Sequence, residues 1–225
     1  MHSNLILSKT CQIPTLSHYY ERYFDRPGIF VEVGAYDGES FSNTSGLADI
    51  GWEGHYIEPH PDFAQKCLHR HTKNNVKVYP FAIDSIPGMK TLHVGDALTT
   101  MSDVTRNAYD SIPWARHVNF DSSIQIQSIR LDDMLNATGI PKAFELLVVD
   151  VEGYELNVFN SFDIDEWKPK MVIVELNDYH PSFWHDEQLT RPSKIVRSYL
   201  TLNSYLQVYA DHINTIFVHK SCIKD

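Results

Sequence analysis

The sequence predicts an α/β fold, a doubly wound and mostly parallel sheet with an antiparallel C-terminal strand. Three observations carry that expectation. Short apolar runs at 29–34, 55–58, 76–83, 146–151 and 171–176 alternate with helix-like stretches. The run 146–151 reads as a central parallel strand, apolar enough to be buried on both faces. Near the C-terminus, 205–209 and 215–219 are two β-rich runs joined only by Ala210-Asp211-His212-Ile213-Asn214. That link is too short for a crossover helix, so the two strands must run antiparallel.

The elements follow in order. Residues 1–28 form an N-terminal helical cap segment, with Tyr19, Tyr20, Tyr23 and Phe24 at helical spacing, ahead of a domain spanning 29–225. Pro27-Gly28 separates the two. A helix is expected from Gly38 to Ile50, stopped by Gly51. Pro59 and Pro61 open the next helix, whose body is 63–71. After strand 76–83, Pro87-Gly88 and a short strand at 91–94 indicate a hairpin addition rather than a crossover helix; 126–129 is expected as another strand and 131–135 as a short helix. Segment 96–125 is polar with scattered aromatics, the composition of a lid or binding loop.

A chain of 225 residues suits one sizeable α/β domain. Its formal net charge is −10 and its pI about 5.6, which argues against nucleic acid as a partner, since phosphate binding needs clustered Lys and Arg. The N-terminal residues lack a charged leader followed by an apolar run, so neither a signal peptide nor a membrane span is expected. Cys11, Cys67 and Cys222 are few and scattered, which suits a reduced, cytoplasmic setting. The Asn43-Thr44-Ser45 and Asn136-Ala137-Thr138 sequons are then idle, and Cys67 with His71 reads as packing rather than a zinc site.

The turn Gly34-Ala35-Tyr36-Asp37-Gly38 has a tyrosine where a pyrophosphate-binding G-x-G-x-x-G loop needs its middle glycine. S-adenosylmethionine (SAM), a nucleoside without phosphate, suits such a turn. Gly34, Ala35 and Gly38 bring backbone near the ligand, while Glu32 and Asp37 meet its ammonium; for Asp37 the alternative is capping the next helix. Glu58, followed by Pro59, is the candidate for gripping both ribose hydroxyls, because one carboxylate accepts from two donors; its alternative is also a cap. Ala82 and Asp84 close the third strand, with Asp84 set to receive the adenine amino group.

The run Val148-Val149-Asp150-Val151-Glu152-Gly153-Tyr154-Glu155 ends the next strand, on the side where open α/β sheets bind ligands. Asp150 faces the donor methyl and is the first candidate for the base that deprotonates a hydroxyl acceptor; Glu152 is the second and His180 a third. Glu152 has an equal alternative role in fixing the turn before Gly153. Asp150, Glu175 and Asn177 together offer oxygen ligands suited to Mg²⁺, with helix capping as their alternative. Trp184 and His185 either line the acceptor pocket or belong to a surface loop.

Taken in order, these motifs resemble the FkbM-type SAM-dependent methyltransferases. FVEVGAYDG is similar to the family's first motif, IEPHP to its E-P-x-P, IQSIRLDDML to its T-L-D-D segment, and VVDVEGYE with VIVE to its D-V-E-G-x-E and I-I-E pair. The resemblance covers 29–175. It implies a Rossmann-like class I methyltransferase fold, SAM as cofactor, O-methylation, and a small-molecule or glycan hydroxyl as acceptor, of the saccharide or glycoconjugate kind. Glu58 then corresponds to the ribose acid, and Asp150 and Glu152 to the D-V-E-G signature. Val148 stands where the family often has lysine, and Glu32 where it usually has aspartate. Two rivals remain at this level: a degenerate methyltransferase fold kept as a binding module, and a nicotinamide-dependent oxidoreductase. Tyr36 and the C-terminal hairpin speak against the second.

Overall fold

The structure is a computed structural model describing residues 5–223; residues 1–4 of the N-terminal segment and 224–225 lie outside the described residues. Helix α1 (Leu16–Tyr23) precedes strand β1 (Ile29–Val33). Then follow α2 (Ser45–Asp49), β2 (Glu53–Ile57), α3 (Pro61–Arg70) and β3 (Val76–Tyr79). A small excursion, β4 (Ala82–Ile83), β5 (Gly88–Val94), α4 (Asp103–Tyr109) and β6 (Ser122–Ile129), comes next. The chain resumes with α5 (Leu131–Thr138), β7 (Leu146–Val149), α6 (Glu155–Phe159), α7 (Ile164–Trp167) and β8 (Met171–Glu175). It closes with α8 (Glu187–Leu202), β9 (Tyr205–Ala210) and β10 (Asn214–His219).

Seven strands form the main sheet in the order β3-β2-β1-β7-β8-β10-β9. The pairs from β3 to β8 are parallel, and β10 runs antiparallel to both β8 and β9. The expected reversed strand is therefore present, inserted between β8 and β9 rather than at the sheet's edge. This is the class I methyltransferase arrangement. The strand order reverses between β1 and β7, which opens a crevice at their carboxyl ends.

Strand alternation assigns the two faces. Val31 and Val33 of β1 and Leu147 and Val149 of β7 pack with α5–α8, whereas Phe30, Leu146 and Val148 pack with Leu16, Tyr20 and Phe24 of the N-terminal segment. Each face is thus covered by apolar side chains, as parallel strands require. No described helix is long and apolar enough to cross a membrane.

Two elements differ from the sequence expectation. The helix expected over 38–50 shrinks to α2, because polar side chains take the backbone donors ahead of it. Asp37 Oδ1 accepts from the N–H groups of Glu39 (2.9 Å) and Ser40 (2.7 Å), and Ser42 Oγ accepts from those of Thr44 and Ser45. The strand expected over 76–83 is two strands. Pro80 lacks the N–H that a continuing ladder needs, so the chain leaves the main sheet after Tyr79 and Ala82 joins β6 in a second, three-stranded sheet. In that sheet β5 pairs antiparallel with Ser122–Ser128 of β6 and not with β4, so the hairpin expected around Pro87-Gly88 gives way to a pairing across the segment that holds α4.

Candidate active site

A cavity of about 380 Å³ opens at the reversal between β1 and β7. Its first wall is the turn after β1. Gly34 has φ +90° and a Cβ there would lie 1.6 Å from the Asp150 carbonyl oxygen, so only glycine lets the two strand ends meet. Of the residues assigned to cofactor binding, Glu32, Gly34, Ala35, Glu58, Pro59, Ala82 and Asp150 line this cavity.

Glu58 is buried, with its two oxygens held apart by backbone donors. Oε2 accepts from Tyr36 N–H at 2.9 Å and Oε1 from His60 N–H at 2.8 Å. Each oxygen keeps a further lone pair for a ligand hydroxyl. Burial pushes this carboxyl up to about 7, against the pull of the His60 and Tyr36 N–H groups. Glu32 accepts from the Thr44 hydroxyl, which also bonds the Tyr56 hydroxyl at 2.9 Å. Burial raises Glu32 to about 8, opposed by the Thr44 bond and reinforced by Asp150.

Three assignments move. Asp37 does not line the cavity; its oxygens serve Glu39, Ser40 N–H and the Ser40 hydroxyl, so it caps a turn, close to its alternative reading. Gly38 also lies off the cavity. Its φ is +77°, and a Cβ would press on Cys67 Sγ at 2.7 Å and His71 at 3.1 Å, so it serves helix packing. Asp84, assigned to adenine, is buried and fully engaged: Lys90 Nζ lies at 2.6 Å, the Tyr154 hydroxyl donates at 3.0 Å and Asn157 Nδ2 at 3.3 Å. Burial pushes the Asp84 carboxyl up, and the bonds from Lys90, Asn157, Ile86 N–H and Tyr154 outweigh it, leaving the pKa lowered. It binds the second sheet to the turn after β7.

At the other end of the cavity, Asp150, Glu152 and Glu175 converge, with carboxylate oxygens all within 4.8 Å of one another. Glu152 reaches this position through a left-handed backbone, φ 55°, followed by Gly153 at φ +86°. Glu155 holds the turn by accepting from Val151 N–H (3.2 Å) and Gly153 N–H (3.0 Å). Glu152 accepts from the Tyr109 hydroxyl, and Thr100 Oγ1 donates to its carbonyl at 2.8 Å. Burial raises the pKa of all three acids; mutual repulsion adds to it for Glu152 and Glu175. Glu175 Oε2 is shielded from solvent and has no hydrogen-bond donor.

The metal set expected from the sequence is not assembled. Asn177 is buried, its N–H donates to Ser193 Oγ at 3.0 Å, and it does not line the cavity; Glu152 joins Asp150 and Glu175 instead. His180 also falls outside the lining. Its Nδ1 accepts from Ser182 N–H, and its ring packs on Phe183 at 4.6 Å and Trp114 at 5.7 Å. Trp184 and His185 are exposed and do not line the cavity. Val148 is buried in the sheet core facing α1, so its identity leaves the acid cluster untouched.

Segment 96–125 supplies the remaining wall through Leu98, Met101, Trp114, His117 and Val118. Tyr36 and Asp96 join across the cavity by a hydrogen bond between hydroxyl and carboxylate. Nothing local singles out Tyr109, Trp114 or Asp96, which lie in a stretch without periodicity and meet their partners only in three dimensions.

Comparison with known proteins fits this geometry. The chain matches the Methyltransferase FkbM domain over residues 32–217. It is similar to "Methyltransferase 1" of Beauveria bassiana (strain ARSEF 2860), 33% identical over 99 residues, a match covering 44% of this chain and 38% of that protein's length. Among solved structures, it resembles magnesium protoporphyrin IX methyltransferase from Synechocystis PCC 6803, crystallised with S-adenosylhomocysteine (6% identity, 92% of this chain, 80% of that one, TM-score 0.48). It also resembles fibrillarin from Aeropyrum pernix with natively bound SAM (10% identity, 86% and 67%, TM-score 0.45). These two superpositions are loose, and the fold assignment rests on the strand order described above. With residues 32–217 matched and the motif acids gathered around one cavity, the chain belongs to the FkbM family of SAM-dependent methyltransferases.

Proposed function

We propose that this chain transfers a methyl group from SAM to a hydroxyl of a saccharide or glycoconjugate. The observation that carries the reading is one cavity with Glu58 at one end and Asp150, Glu152 and Glu175 at the other. The fit to SAM is supported by a glycine that clears space at Gly34, by a Glu58 carboxylate already oriented by two N–H groups, and by an anionic end suited to a cation. Glu58 holds the ribose, Glu32 the ammonium, and Asp150 lies at the reacting end. SAM, when bound, supplies an electrophilic methyl.

The acceptor's hydroxyl must lose its proton as it attacks, and Asp150 is the base. A carboxyl whose pKa burial raises is a stronger base than an ordinary one. Tyr109 holds Glu152 in place beside it. Trp114, 42% exposed at the cavity wall with its indole Nε1 donating to Ser182 Oγ at 3.1 Å, offers a fixed aromatic face. Such a face suits the apolar side of a sugar ring.

The test is methyl transfer from SAM to a panel of saccharides, followed by mass and by release of S-adenosylhomocysteine. Transfer confined to amines, or to none of the hydroxyl acceptors, rejects the acceptor class. Absence of binding by either SAM or S-adenosylhomocysteine rejects the cofactor as well.

A further inference from the structure

Asp150, Glu152 and Glu175 crowd three carboxylates into one end of a cavity whose lining, among the described residues, contains no Lys or Arg. The titratable groups facing them from the surrounding elements are Glu155 of α6, Tyr109 of α4 and Glu32 of β1; His117 is the one basic residue in the wall. Like charges at this spacing repel strongly where water is scarce. Glu155 is committed to two backbone N–H groups and Glu152 to a phenol, while Glu175 Oε2 has no donor at all. The cluster therefore lacks a positive charge, and the lack is greatest at Glu175.

We infer that Asp150, Glu152 and Glu175 read the charge on the donor's sulfur, so that the cavity holds SAM more tightly than S-adenosylhomocysteine. The inference rests on the SAM reading of the cavity. SAM carries a sulfonium, and S-adenosylhomocysteine a neutral thioether of otherwise the same shape. A site that recognised only the nucleoside and amino-acid tail, through Glu58 and Glu32, would bind the two alike. The anionic end adds a term that the charged donor alone collects, and its loss after transfer favours release of the spent molecule. Glu175 is the specificity-determining residue, because its Oε2 is buried without a donor and the side chain it meets, Asp150, is another acid.

The experiment is calorimetric titration of the purified chain, in EDTA and again with Mg²⁺, using SAM, S-adenosylhomocysteine and sinefungin, whose amine places a cation beside the methyl position. SAM and sinefungin are expected to bind at least about tenfold more tightly than S-adenosylhomocysteine, in EDTA as well as in Mg²⁺. In Glu175→Gln that preference should fall about tenfold while the affinity for S-adenosylhomocysteine stays within about twofold. Equal affinities in the wild-type protein overturn the inference, as does a preference that appears only with Mg²⁺. A uniform loss of all three ligands in Glu175→Gln assigns Glu175 a structural role and overturns its part. Binding of none of the three by the wild-type protein removes the SAM reading itself, a result distinct from equal binding of all three.

Discussion

The carboxylates at the two ends of the cavity are prepared in opposite ways. Glu58 comes fully oriented, because the turn after β1 and the start of α3 each aim a backbone N–H at one of its oxygens. The acid cluster at the far end is oriented by neighbours but not neutralised by them, and Glu175 Oε2 is left with no donor. The first end is complete as a shape before any ligand arrives. The second is complete only when a charge or a proton enters. The difference teaches that one end supplies geometry and the other an electrostatic demand, which is the division the proposed function draws between binding and chemistry.

Breaking the reactive end should have the largest effect. Asp150→Asn keeps the size of the side chain and removes its basicity, so turnover should drop about 100- to 10,000-fold. Affinity for S-adenosylhomocysteine should stay within about twofold, since that ligand's sulfur carries no charge for the cluster to meet. A parallel loss of binding and turnover would mean that the two ends are not separable. Glu58→Ala attacks the other end. Losing two hydrogen bonds to a charged acceptor, at about 1.5 kcal/mol each, should weaken S-adenosylhomocysteine binding roughly 100-fold by calorimetry. Unchanged affinity would take the ribose away from Glu58.

The ends also differ in how much of them was legible in the sequence. Glu58 was readable because everything that fixes it is local: a strand, a proline pair and a helix start within a few residues. Asp150 was readable for the same reason, as the first residue after a continuous apolar strand. Asp84 has the same local signature and yet faces elsewhere, because its position was decided by Pro80 diverting the chain into the second sheet and by Lys90, Tyr154 and Asn157 closing around it. The partnership of Tyr109 with Glu152 joins residues 43 positions apart and leaves no periodic trace. The short α2 was hidden for a different reason. Glycine at both ends of 38–50 suggested helix boundaries, whereas Asp37 and Ser42 had already claimed the donors.

Asp84 sharpens the comparison from outside the cavity. It ties the second sheet to Tyr154 and Asn157, which lie just beyond the Glu152 turn. Asp84→Asn keeps a side chain that can still accept from Tyr154 but loses its charge opposite Lys90. It should cost about 2 kcal/mol in denaturant unfolding, less than a fully buried pair because Lys90 is 25% exposed. If Asp84 positions the reactive end, kcat for methyl transfer should fall in the same variant while S-adenosylhomocysteine affinity holds. Weaker S-adenosylhomocysteine binding with normal stability would instead return Asp84 to the adenine.

The smallest expected effect is graded rather than all-or-none, and it concerns the apo protein. Burial lifts Glu32 to about 8 and both Glu58 and Glu155 to about 7. The unfolded chain releases these protons near the ordinary carboxyl value, whereas the folded chain keeps them until pH 7 to 8. Above about pH 6.5, where an ordinary histidine is mostly neutral, the folded state therefore binds more protons than the unfolded one, and stability must fall as pH rises toward about 8. The slope is about 1.4 kcal/mol per pH unit for each proton retained. Asp84, with its lowered pKa, acts in the opposite sense at acid pH, and so do His55, His60, His71, His180 and His219, whose pKa values burial lowers, all below this window. The melting temperature of the ligand-free protein should thus decline from about pH 6.5 to about pH 8, and Glu32→Gln should flatten the upper part of the decline, where Glu32 alone of the three still holds its proton. A melting temperature that climbs across this range would mean that these carboxyls are already ionised in the folded protein, and that the cavity is wetter than its packing indicates.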